Sequence, residues 1–280
     1  MITYQPSAAK LRLLRLYHHD DSRLFVVPLD HSVSDGPAFA GHGLDPLIGQ
    51  LVSNGVDAIV LHKGRIRHVH PRWFTKASLI VHLSASTRHA VDPDAKYLVA
   101  SVESALRLGA DAVSVHVNLG SREESQQIAD LGAVADACAQ WNLPLLAMMY
   151  PRGPEISNPH DPELLAHALS LATDMGADIV KIPAPQSGEE MADLVRECAI
   201  PVLGAGGAPR NDTAGVMSYV STLLTAGATG VAMGRNVFGA PNPGLMARRV
   251  ADLVHSPIPR LRSPRSAAEL TGSAELSRRN

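Results

Sequence analysis

The residues best suited to chemistry are a lysine set in hydrocarbon and the polar residues that end other apolar runs. Lys181 lies in Gly176-Ala177-Asp178-Ile179-Val180-Lys181-Ile182-Pro183, where an ammonium would lose its hydration with no evident return. Burial favours the neutral amine, the nucleophile that forms a Schiff base with a ketone or aldehyde. The alternative is a buried ion pair with Asp30 or Asp178. Schiff-base aldol chemistry also needs a group that moves protons as carbinolamine and enamine form, and one that serves the aldehyde oxygen. Asp30, in Pro28-Leu29-Asp30-His31-Ser32, and Tyr150, in Met148-Met149-Tyr150-Pro151-Arg152, supply those types from two other runs. Taken singly, Asp30 reads as a turn or cap and Tyr150 as a rim tyrosine; their joint placement favours the catalytic reading.

Two glycine turns follow later runs, Gly204-Ala205-Gly206-Gly207 and Gly234-Arg235-Asn236. Glycines let backbone N–H groups approach phosphate oxygens, and an arginine adds a fork-shaped charged donor. The pair predicts a phosphorylated substrate. His31, His62, His82 and His116 fall near the ends of the first four runs, so a divalent metal is a rival reading, although no HxH or HExxH pairing supports it. They could instead hydrogen-bond substrate hydroxyls. His18-His19-Asp20 and His68-Val69-His70 read as surface loops without a role. A phosphate-ligand sensor without catalysis is a third class.

The elements that must position these groups can be read from periodicity. Strand-length runs occur at 24–29, 58–62, 79–83, 112–117, 145–149, 179–182, 201–203 and 230–233, most separated by helical spacing, as at 94–108, 122–140, 162–175, 188–198 and 213–226. Eight strands alternating with helices predict a closed, single-domain (β/α)8 barrel over residues 23–255, with an N-terminal helical extension over 1–22 and a flexible tail over 256–280. That tail is Pro-, Ser- and Arg-rich, with at most a weak helix at Ala267–Leu276. The stretch Gly64–Ser78, interrupted by Pro71, predicts a degenerate second helix.

A glycine, a small residue and Asp or Thr precede the even-numbered strands at Gly55-Val56-Asp57, Gly109-Ala110-Asp111, Gly176-Ala177-Asp178 and Gly227-Ala228-Thr229. Aligning the copies puts Lys181 level with Val60, Ser114 and Ala232, pointing into the barrel, with His62 and His116 one layer nearer the C-terminal rim.

Composition closes off other classes. The net charge of −2 gives no electrostatic reason to expect nucleic acid or an anionic membrane as partner. Aromatic residues make up only 4% of the chain, so Ala, Val, Leu and Ile must build the core, as suits parallel strands under Ala-rich helices. Cys138 and Cys198 form no CxxC or disulfide framework, which fits a reducing, cytoplasmic setting. Met1 to Leu16 reads as neither a signal peptide nor a membrane span.

The stretches from Val27 to Pro37, Val60-Leu61-His62-Lys63-Gly64, Met149-Tyr150-Pro151-Arg152-Gly153, Asp178-Ile179-Val180-Lys181, Gly206-Gly207 and Met233-Gly234-Arg235-Asn236 together resemble the archaeal-type class I aldolases of the deoxyribose-phosphate and fructose-bisphosphate aldolase superfamily. Within that group the closer likeness is to the branch of heptulosonate and phosphooxyheptanoate synthases. The segments Leu79–Thr87 and Ser114–Ser121 favour the phosphooxyheptanoate side. The resemblance implies Lys181 as the Schiff-base lysine, Tyr150 as proton donor and Asp30 as proton acceptor. It implies substrate contacts from His31, Ser32, Val33, Ser34, Pro151 and Arg152, and phosphate contacts from Gly206, Gly207, Gly234 and Arg235, while His62 and His116 face the same space. It further implies no metal or other cofactor, dihydroxyacetone phosphate as ketone donor, L-aspartate 4-semialdehyde as acceptor, and a homo-oligomer, often a decamer. The heptulosonate synthase reaction, fructose-bisphosphate cleavage and a metal-dependent barrel enzyme stay as alternatives. Where the family often carries Thr-x-Tyr after its lysine, this chain has Ile182-Pro183-Ala184.

Overall fold

The computed structural model describes residues 8–19, 22–37, 43–210 and 212–256. Eight parallel strands close into a barrel: β1 (Leu24–Pro28), β2 (Ala58–His62), β3 (Ser78–His82), β4 (Ala112–Leu119), β5 (Leu145–Pro151), β6 (Ile179–Ile182), β7 (Val202–Ala205) and β8 (Gly230–Ala232). Neighbours in sequence are neighbours in the sheet, and β8 returns to β1 through Leu24↔Gly230. The expected α/β barrel is therefore the observed one, with a degenerate second unit: two 3-10 turns, Ile66–His68 and Pro71–Thr75, replace the helix after β2.

Alternation along the strands produces two apolar bodies. Phe25, Val27, Ile59, Leu61, Val113, Val180 and Ile182 pack outward against the helices. Leu24, Val26, Ala58, Val60, Ile80, Leu146, Met148, Ile179 and Leu203 fill the barrel interior. The N-terminal helix Ala8–Leu14 leads to Leu16, which is fully buried and plugs the interior from the N-terminal end with Leu13 and Tyr17 beside it. The residues from 257 onward, including the expected helix Ala267–Leu276, lie outside the described residues.

The four-fold repeat has a structural cause. Its glycines, Gly55, Gly109, Gly176 and Gly227, all take φ between +83° and +94°, the left-handed conformation that ends the preceding turn at little cost only for glycine. The acidic residue two positions on reaches across to the strand before it. Asp57 Oδ2 accepts from Phe25 N (2.7 Å), Asp111 Oδ2 from Leu79 N (2.9 Å) and Asp178 Oδ2 from Leu145 N (2.9 Å). In the fourth copy Thr229 Oγ1 donates to Val202 O at 3.0 Å.

Asp57 carries the most partners. It is 0% exposed, and its Oδ1 accepts from His18 N (3.1 Å) and lies 2.8 Å from His19 Nδ1, while His255 Nε2 lies 3.5 Å from Oδ2. His18-His19, read from sequence as a plain surface loop, thus ties the N-terminal segment and the end of the last helix to β2. Asp57→Ala should leave two amide donors without acceptors and lower unfolding free energy by about 3 kcal/mol, read as a lower urea midpoint at unchanged slope. An unchanged midpoint would show the carboxylate to be dispensable.

One element differs from expectation. The helix predicted over 94–108 is confined to Val102–Arg107, opened by a Ser101–Ser104 capping box. The preceding residues instead form an antiparallel ribbon, Tyr97–Leu98 against Ser84–Ala85. The chain between the two ribbon strands forms a strap across the C-terminal mouth of the barrel. Asp94 O holds it down, accepting from Asn118 Nδ2 at 2.8 Å and Gln127 Nε2 at 3.3 Å.

Candidate active site

Ile179 lies in the interior cluster and Val180 and Ile182 in the outer one, so the pleat of β6 turns Lys181 inward. The lysine is 7% exposed and stands in register with Met148 of β5 and Leu203 of β7. Its Nζ lies 5.5 Å from the centre of the Tyr150 ring. Among the described residues it makes no ion pair. Asp178 is spent on the Leu145 amide, and Asp30 pairs with His31 and His82 instead.

Asp30 follows β1 at the rim. Its Oδ1 is 3.4 Å from His31 Nδ1 and its Oδ2 is 3.7 Å from His82 Nε2, and Oδ1 accepts no hydrogen bond. Burial pushes this carboxyl up, but His82, His31, Lys181 and His62 around it outweigh that and hold it well below the usual carboxylate range. A carboxylate in that state is an ionised proton acceptor with a free lone pair.

Burial drives His82 down to about 4 against the opposing pull of Asp30, so its imidazole is neutral at neutral pH. Its Nδ1 lies 2.8 Å from Ser114 Oγ. A hydrogen on Nε2 facing Asp30, with the serine hydroxyl donating to Nδ1, satisfies both sides of the ring. His62 packs edge-on to His82 at 5.2 Å, and burial lowers it too.

Tyr150 has two neighbours against its ring. The His116 ring stacks on it at 4.8 Å, and His116 Nε2 is fixed 2.8 Å from Asn118 Oδ1. The Arg152 guanidinium carbon lies 5.7 Å from the Tyr150 ring centre.

Two cavities of about 380 Å³ each share the walls Lys181, Tyr150, His31, Arg152 and Arg235. The first extends beneath the strap, past Asp30, Val33, Ser34, His62, His82 and His116. The second runs over Pro151 and Pro183 to Gly206, Gly207 and Gly234. Gly234 cannot carry a side chain: a Cβ would stand 2.6 Å from His31 Cε1 and 2.8 Å from Pro28 O. Arg235 Nη2 donates to Gly207 O at 3.2 Å, tying the two glycine turns together. The short helix Arg235–Phe238 opens directly from this turn, with Val237 N and Phe238 N donating to Gly234 O at 2.8 and 3.0 Å.

The sequence-predicted residues converge with one exception: Ser32 lines neither cavity. The four strand-end histidines do not gather as ligands. Among the described residues the group with metal-ligand spacing is His19, Asp57 and His255, at the opposite end of the barrel. Several contributors were missed: His82 as the partner of Asp30, Asn118 behind His116, and the strap residues Asp94 and Lys96. Asn236, quoted in the glycine-turn motif without a role, fixes the phosphate-side loop. Its Nδ2 donates to Gly206 O (2.9 Å) and Ala208 O (3.0 Å), and its Oδ1 accepts from Arg210 N (2.7 Å).

A sequence model of the DeoC/LacD family aldolases matches residues 24–240, from the first barrel strand to the turn beyond the last. The chain belongs to the DeoC/LacD family of aldolases. This aldolase is 60% identical over 251 residues to the 2-amino-4,5-dihydroxy-6-oxo-7-(phosphonooxy)heptanoate synthase of Streptomyces griseus, an alignment that covers 90% of this chain and 92% of that one. It is 40% identical over 235 residues to 2-amino-3,7-dideoxy-D-threo-hept-6-ulosonate synthase 1 of Archaeoglobus fulgidus, covering 84% and 87% of the two chains. Among solved structures, an archaeal fructose 1,6-bisphosphate aldolase superposes with a TM-score of 0.81 at 27% identity, covering 90% of this aldolase and all of its own chain. A second archaeal fructose-1,6-bisphosphate aldolase, with its catalytic lysine covalently bound to the carbinolamine intermediate of the substrate, superposes with a TM-score of 0.78 at 26% identity, covering 89% and 100%. As a member of this family the protein is a carbon–carbon lyase of the Schiff-base class. No helix among the described residues is long and apolar enough to cross a membrane.

Proposed function

We propose that the protein is a cytoplasmic, self-associating 2-amino-4,5-dihydroxy-6-oxo-7-(phosphonooxy)heptanoate synthase, which joins dihydroxyacetone phosphate to L-aspartate 4-semialdehyde. The observation that carries the reading is the 60% identity, along nine-tenths of the chain, to the Streptomyces griseus enzyme of that name. The geometry supports it with one inward amine at the junction of two cavities, one lined by glycine turns and an arginine, the other by charged and polar side chains.

In this reading the phosphate of the donor enters the lobe of Gly206, Gly207, Gly234 and Arg235, which brings its ketone to Lys181. The amine adds to the carbonyl carbon. Tyr150 supplies the proton with which the carbinolamine hydroxyl leaves as water, giving an iminium. Asp30 removes a proton from the adjacent hydroxymethyl carbon, and the electron pair of that C–H bond flows into the iminium to form the enamine. The enamine carbon attacks the aldehyde carbon of the acceptor, a new C–C bond forms, and the aldehyde oxygen takes up a proton. Water then hydrolyses the iminium, which releases product and restores Lys181.

The test is to incubate the protein with both substrates and look for the seven-carbon amino-keto-acid phosphate by mass, with chelator present and absent. Product at equal rates in both supports the reading. Product only from a different ketose phosphate would replace the donor, and loss of all product with chelator would favour a metal-dependent enzyme.

A further inference from the structure

The lobe beneath the strap holds more charge than aldol chemistry at Lys181 demands. Lys96 is half-buried there, donates one 3.3 Å hydrogen bond to Pro93 O, and has no carboxylate partner among the described residues. Arg152 faces the same lobe, with its Nε 4.0 Å from Asp94 Oδ1. Burial pushes the Lys96 ammonium toward neutrality and Arg152 adds to the push, which Asp94, Asp30 and Asp35 only partly oppose. Two cations and one carboxylate thus line the same lobe.

The strap that carries Asp94 and Lys96 is tied down along its length. Its ribbon pairs Ser84 with Leu98 and Ala85 with Tyr97. Ser86 Oγ donates to Pro93 O at 2.7 Å, and buried Asn118 and Gln127 pin the Asp94 carbonyl. With its backbone held this way, the strap presents the Asp94 carboxylate and the Lys96 ammonium to the cavity. An aldehyde without charged groups would leave those charges unpaired by substrate. An aldehyde that carries a carboxylate and an ammonium on one carbon, a short methylene link from its carbonyl, complements them charge for charge.

We propose that Lys96, Arg152 and Asp94 form an α-amino-acid subsite, the acceptor carboxylate lying between the two cations and its ammonium against Asp94. The inference rests on the function proposed above, in which Lys181 presents the donor enamine to this lobe. It assigns acceptor choice to the strap and donor choice to the glycine turns.

The test compares L-aspartate 4-semialdehyde with butanal as acceptors, with dihydroxyacetone phosphate as donor, in the wild type, Lys96→Met and Lys96→Arg. In Lys96→Met the ratio of kcat/KM for the amino-acid aldehyde over butanal should fall roughly 10- to 100-fold, with the loss concentrated in KM. Lys96→Arg should recover much of that ratio. Borohydride trapping of the donor should proceed in both variants, because the donor lobe is untouched. Equal losses for both aldehydes, or an unchanged ratio, would overturn the subsite and leave Lys96 a structural residue of the strap. A wild type that traps donor but treats the two aldehydes alike would overturn the subsite alone. A wild type that traps no donor would overturn the proposed function, and the subsite with it.

Discussion

Lys181→Ala should lower turnover by at least about 10⁴-fold and abolish borohydride-dependent mass gain with a ketose phosphate, because the covalent route is removed with its nucleophile. The structure makes this a clean substitution. Lys181 forms no ion pair among the described residues, and Asp30 keeps His31 and His82 beside it when the amine is gone; alanine shortens one side chain at the junction of two existing cavities. The variant should therefore fold and keep its affinity for phosphate analogues. Normal turnover in Lys181→Ala would end the Schiff-base assignment. Intact turnover with a trapped adduct mapped elsewhere would move it to another amine.

Asp30→Asn should lower kcat by about 10²- to 10⁴-fold, the range for loss of a positioned proton acceptor. The amide keeps the volume and removes the charge that the histidines and Lys181 stabilise. The telling measurement is exchange of the donor's carbon-bound hydrogen with deuterium from solvent, in the absence of acceptor. It reports enamine formation alone. Slow exchange with intact phosphate binding is the expected result. Exchange at the wild-type rate would assign proton removal to another group, with Tyr150, whose ring centre lies 5.5 Å from Lys181 Nζ, the next candidate.

Most of the barrel was legible because its signals are local. A period-two strand with a glycine turn before it shows that Lys181 faces inward without knowledge of any partner, and Asp30 and Tyr150 could be joined to it because each ends another strand-length run. What stayed hidden depends on distant pairing. Asp94–Ala100 has a composition that tolerates a helix. Its partners Asn118 and Gln127, at separations of 24 and 33 residues from Asp94, determine otherwise. A helix over 94–108 gives Lys96 no place at the barrel mouth, whereas the ribbon makes it a cavity residue. His82 was visible as a strand-end histidine, but its neutrality and its approach to Asp30 follow from burial against β2 and β4, which no run of residues displays. The Asp57 cluster was half visible: the repeat singled out the aspartate, while its histidine partners come from the two ends of the chain.

The bonds from Asp57, Asp111, Asp178 and Thr229 act as index marks between alternate pairs of staves at the end of the cask remote from the reaction. Sliding β6 by a single residue would reverse its pleat, swinging the amine out among the helices and putting a hydrocarbon in its place. The Asp178 contact with Leu145 forbids that slip without occupying any of the space above it. Substrate preference can thus be rewritten in the rim loops, through many changes of strap and turn, while the aim of the nucleophile is kept by a carboxylate that never meets a substrate.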